Sequence, residues 1–73
     1  MADITAINHH IQGEMHRRQL ATTTAVAAAE WLDWAKLLRD SADRPGRAIR
    51  FLLRDHLITG SRQDGRFWFI DRI

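Results

Sequence analysis

Seven arginines fall within residues 44–73, at positions 44, 47, 50, 54, 62, 66 and 72, and no lysine accompanies them. A guanidinium is planar, permanently charged and able to donate two parallel hydrogen bonds, so it suits phosphate oxygens and the acceptor edge of guanine. Three aspartates oppose these arginines and leave the segment at +4. Residues 1–43 carry four basic against six acidic side chains and stand at −2. The total of +2 therefore hides a division that concentrates positive potential on one part of a small body, as a nucleic acid or another polyanion requires.

Other chemistry is poorly served. The chain has no glycine-rich phosphate loop, no carboxylates paired at a cleft-forming spacing and no Ser–His arrangement, and the sequence reads as a non-enzyme without a cofactor. Cys is absent, which excludes disulfides and thiolate metal sites and suits a reducing cytoplasm. His9, His10 and His16 crowd the first segment, but no further ligand follows at a known metal spacing, so they read as solvated side chains. No apolar run approaches the roughly 18 residues of a membrane span, and the N-terminus lacks the pattern of a signal peptide. A soluble, cytoplasmic protein without a membrane partner is expected.

The elements that must position the arginines can be read in turn. Seventy-three residues fit one small domain, which buries only roughly 60% of the surface of its unfolded chain. Residues 1–22 read as an N-terminal arm or short helix, because Ile4, Ile7, Ile11 and Met15 recur at helical spacing around Gly13; residues 23–73 read as the folded domain. Thr22, Thr23 or Thr24 can cap a helix beginning near Ala25. Its apolar face is expected to hold Ala27, Ala28, Trp31, Trp34, Ala35 and Leu38 over about four turns, with both tryptophans in the core.

Asp43 as cap and Pro45 at the first position predict another helix over 45–57, which buries Ile49, Leu52, Leu53, His56 and Leu57. At 100° per residue, Arg47, Phe51, Arg54 and Asp55 fall opposite that stripe and Arg50 lies on its flank. Gln63-Asp64-Gly65-Arg66 then carries a hairpin signal ahead of Phe67-Trp68-Phe69-Ile70, with Trp68 and Ile70 expected inward and Arg62 and Arg66 flanking the turn. The fold class expected is mainly α with a C-terminal β-hairpin spanning 58–72.

A short arginine-bearing helix followed at once by a hairpin resembles the bacteriophage excisionase family, recombination directionality factors with a minimal winged-helix fold. The residues that carry the resemblance are Glu30-Trp31, Pro45, Ile49-Arg50-x-Leu52-Leu53-Arg54-Asp55 with Ile58, and Asp64-Gly65-Arg66-x-Trp68-x-Ile70. The resemblance covers residues 28–70 and implies a helix in the major groove of double-stranded DNA with the wing in the adjacent minor groove. It further implies DNA bending, cooperation with another copy on an adjacent site, and recruitment of an integrase in a bacterial host. The contact residues it implies are Arg47, Arg50 and Arg54 on the helix and Arg62 and Arg66 on the wing; Arg44, just before the helix, and Phe51, among its arginines, complete the DNA-binding set expected here. Phe51 departs from the pattern, standing where such helices carry a polar or basic reader. An exposed aromatic among arginines equally suits a protein-interaction module or inhibitor acting through the same face, and a small transcriptional regulator would share the DNA chemistry.

Overall fold

In the computed structural model, which describes residues 3–73, the first helix is also the longest. Helix α1 (Ile4–Arg17) starts where the Asp3 side chain accepts a hydrogen bond from the Ala6 N–H at 3.1 Å. Its stripe is put to use: Ile7, Ile11 and Met15 are three of the seven large side chains that are fully buried, beside Leu32, Ile49, Leu53 and Ile70. The segment read as an arm or short helix is thus a helix whose apolar stripe joins the core, and His9 and His16 are exposed.

Strand β1 (Thr22–Thr24) was not among the expected elements. Three consecutive β-branched residues favour extended backbone, and Thr24 serves twice, as the last strand residue and as the cap whose hydroxyl accepts the Ala27 N–H at 3.1 Å. Helix α2 (Ala25–Trp34) buries Ala25, Ala28, Ala29, Trp31 and Leu32. It is a turn shorter than expected, and its buried face is rotated, so Trp34 lies outside the core with 68% of its surface exposed.

Helix α3 (Arg47–Arg54) has eight residues and is also shorter than its expected span. Asp43 and Pro45 do not open it. The carboxylate of Asp40 instead accepts the N–H groups of Ser41 and Gly46, both at 2.9 Å, and closes the loop that leads in. Gly46, at φ 86°, is the capping residue; a Cβ there would lie 3.3 Å from the Val26 Cγ2. Ile49 and Leu53 are fully buried and Leu52 packs partly against the core, whereas His56 and Leu57 lie beyond the helix and are exposed, contrary to their expected burial.

All three helices end alike. Gln19, Lys36 and His56 adopt positive φ near 57–59°. The following residues Leu20, Leu37 and Leu57 donate back to the carbonyls of Met15, Leu32 and Leu52 at 2.8–3.0 Å. This is the Schellman termination that glycine usually supplies, written here without glycine. Its absence from the sequence explains why α2 and α3 read as longer than they are.

Strands β2 (Ser61–Asp64) and β3 (Phe67–Asp71) form the hairpin around Gly65-Arg66, and β1 adds to the far edge of β3, giving the antiparallel order β1-β3-β2. Ile70 and Trp68 face the core as expected; Phe67 points away with 64% exposure. Two amides of α1 fasten the base of this hairpin. Asn8 donates to the Leu57 carbonyl and accepts the Thr59 N–H, each at 2.9 Å. Gln12 donates to the Asp71 carbonyl and accepts the Ile73 N–H, each at 3.1 Å. Among the described residues, no helix is long and apolar enough to cross a membrane.

Two glycines should respond oppositely to alanine. Gly13 sits inside α1 with nothing within 4 Å of an added Cβ, so Gly13→Ala should raise stability by about 0.5–1 kcal/mol. Gly60 has φ 79°, and an added Cβ would collide with the Asp71 carbonyl oxygen. Gly60→Ala should therefore cost more than about 1 kcal/mol. Urea unfolding of both variants checks the pair, and equal midpoints would contradict this packing.

Candidate nucleic-acid interface

The outward side of α3 follows from what its inward side buries. With Ile49 and Leu53 in the core, Arg47, Phe51 and Arg54 fall along the opposite stripe, and all three are exposed. Arg44 precedes the helix in the loop closed by Asp40. Arg44, Arg47, Arg50, Phe51 and Arg54 line one surface depression. The ring of Phe51 lies 5.9 Å from the Arg54 guanidinium carbon, a separation at which a cation is attracted by an aromatic face.

The arginines are not equivalent. Arg50 is turned back on its own helix, donating from Nε to the Gly46 carbonyl at 3.2 Å and from an Nη to the Pro45 carbonyl at 3.3 Å. It supports the loop and the helix start. Arg62, expected beside the hairpin turn, lies within β2 opposite Phe69. Its Nε donates to the Asp71 carboxylate at 2.8 Å, and its guanidinium carbon stands 4.8 Å from the Phe69 ring. Arg66 occupies the turn itself and is exposed. Among the described residues, ion pairs join Glu14 to Arg17 and Arg18 and Asp71 to Arg62. Arg44, Arg47, Arg50, Arg54 and Arg66 have no carboxylate partner there.

These pairs also show where charge is already neutralised. Glu14 is held below the ordinary carboxyl value by hydrogen bonds from Arg18 and Arg17, and Arg18 in turn lies 5.0 Å from the Trp31 ring. The groove beside them, between α1 and α2, is lined by His10, Glu14, Trp31, Trp34 and Ala35. Asp71 is likewise held low by the hydroxyl of its cross-strand neighbour Thr22 and by Arg62. The hydroxyl also lies 3.3 Å from the Ile70 carbonyl, a competing acceptor. Among the described residues, no group of three or more His, Cys, Asp or Glu side chains is arranged to hold a metal ion.

Positioning residues missed by sequence reasoning are Asp40, Asn8 and Gln12. Each is a polar side chain whose partner is a backbone group; for the two amides that partner is about 50 or more residues distant, so no local spacing announces them. A carboxyl group with a depressed folded-state value stabilises the fold above its ordinary value, 3.8 for Asp71, and that contribution is lost as the pH falls through the lower folded value. The unfolding midpoint of Asp71→Asn should thus fall less than that of the parent chain between about pH 5 and about pH 2.5. Parallel urea titrations at the two pH values test this, and identical losses would remove Asp71 from the acid response.

Comparison with protein-family models, with curated proteins and with solved structures finds no match to this chain.

Proposed function

We propose that this chain is a small DNA-binding protein of winged-helix type, with α3 as the helix that enters the major groove and the β2–β3 hairpin as the wing. The observation that carries the reading is the exposed run Arg44, Arg47 and Arg54, whose cations have no carboxylate partner among the described residues. Backbone phosphates are the partners that such a surface attracts, through charge neutralisation and counterion release. The element order helix, strand, helix, helix, hairpin, with the first strand pairing to the hairpin, supports the same reading.

The contact set narrows relative to the excisionase resemblance. Arg44, Arg47, Phe51, Arg54 and Arg66 are proposed to meet DNA. Arg50 positions the helix start, and Arg62 stiffens the hairpin through Asp71. The role most in keeping with the resemblance is that of an accessory factor that bends DNA and assists an integrase in site-specific recombination; a transcriptional regulator would use the same surface. The competing reading, a protein-interaction module, draws on the 53% exposure of Phe51 and the 68% exposure of Trp34.

Salt dependence separates the classes. With Arg44 and Arg66 each meeting a phosphate and Arg47 and Arg54 directed to base edges, the logarithm of the binding constant should fall against the logarithm of salt with a slope of about −2. Arg66→Ala should reduce that slope by about 1, and Arg47→Ala or Arg54→Ala should weaken specific binding by about 1–3 kcal/mol. Arg62→Ala should leave the slope unchanged. Fluorescence anisotropy with duplex DNA provides the measurement. Duplex affinity unaffected by an Arg47/Arg54 double substitution would overturn the proposal.

A further inference from the structure

The α3 face poses a physical question at its centre. Phe51 lies four residues after Arg47 and three before Arg54, on the same stripe, and more than half of its surface is exposed. A single exposed apolar side chain is common on protein surfaces. This one differs in its placement, midway along a cationic stripe whose core anchoring is supplied by Ile49 and Leu53 on the other side. It also borders a second depression shared with Arg39, Arg47 and Ala48.

Resting on the DNA-binding reading, we infer that Phe51 is a specificity-determining residue that packs on the 5-methyl group of a thymine, flanked by guanine contacts from Arg47 or Arg54. If the arginines on both sides reach base edges, the ring between them is pressed against a base edge too. Donors and acceptors cover those edges in the major groove, and the thymine methyl is the apolar feature they offer. A ring set against a polar edge strips that edge of water without giving it a hydrogen bond, which is unfavourable. Phe51 therefore selects thymine both by contact and by exclusion of the alternatives.

The test uses the full chain and a duplex enriched by it from a random-sequence library. Each thymine of that duplex is replaced singly by deoxyuridine, which deletes the methyl and leaves the pairing intact. Wild type is expected to lose about fourfold in affinity at one thymine, the effect of one methyl-sized group leaving an apolar contact. Phe51→Ala, which retains the α3 core anchors, is expected to bind the thymine and deoxyuridine duplexes equally. Phe51→Leu should preserve part of the discrimination. Salt-dependent binding by wild type with indifference to every deoxyuridine overturns the role of Phe51 and leaves the DNA-binding reading standing. So does a loss that persists undiminished in Phe51→Ala. Failure to bind any duplex in a salt-dependent way overturns both.

Discussion

An eight-residue helix is too short to persist in water by its own hydrogen bonds, so α3 exists because Ile49 and Leu53 are buried. Each such side chain contributes about 1.5–3 kcal/mol on leaving water. The same two anchors, four residues apart, set the rotation of the helix about its axis and thereby decide which residues face outward. Arg47, Phe51 and Arg54 are presented because Ile49 and Leu53 are not. The proposed binding surface is in this sense a consequence of the core.

Around that constraint the fold adds fastenings that prevent the short helix from shifting. Asp40 closes the entry loop on Gly46, Arg50 ties the first turn to Pro45 and Gly46, and Asn8 holds the chain as it leaves. Gln12 reaches the far end of β3 from the next turn of α1. The hairpin and α3 are thus both referenced to α1, whose three buried apolar side chains face the core they share. A rigid frame of this kind suits a surface that must meet a ligand with several cations in fixed relation, since less ordering is then required on binding.

Much of this was legible from residue spacing. The stripe Ile7, Ile11, Met15, the anchors Ile49 and Leu53 and the inward Ile70 follow from periods of 3.6 and 2, and the Asp64-Gly65 pair announces a hairpin, whose turn lies one residue later at Gly65-Arg66. What escaped were features whose cause is not periodic. Helix ends at Gln19, Lys36 and His56 adopt a left-handed conformation with no glycine to mark it, so the apolar pattern ran on through Leu38 and Leu57. Ala25, Ala29 and Leu32 are buried in place of Trp34, a rotation of the helix that its nearly continuous apolar run does not specify. Arg62 and Arg50 read as free cations because their partners, Asp71 and two carbonyls, are brought to them by the sheet register and by the loop.

The proposal that α3 and the hairpin turn together form a DNA-binding surface stands on arginines that have no carboxylate partner among the described residues. Titration of the isotopically labelled protein with duplex DNA, followed residue by residue through backbone amide shifts, tests it most directly. The largest changes are expected to run through Arg44–Arg54 and the Gly65-Arg66 turn, while the Trp31–Ala35 groove stays silent. Changes centred on Trp34 and the α1–α2 groove, or none at all, would contradict it.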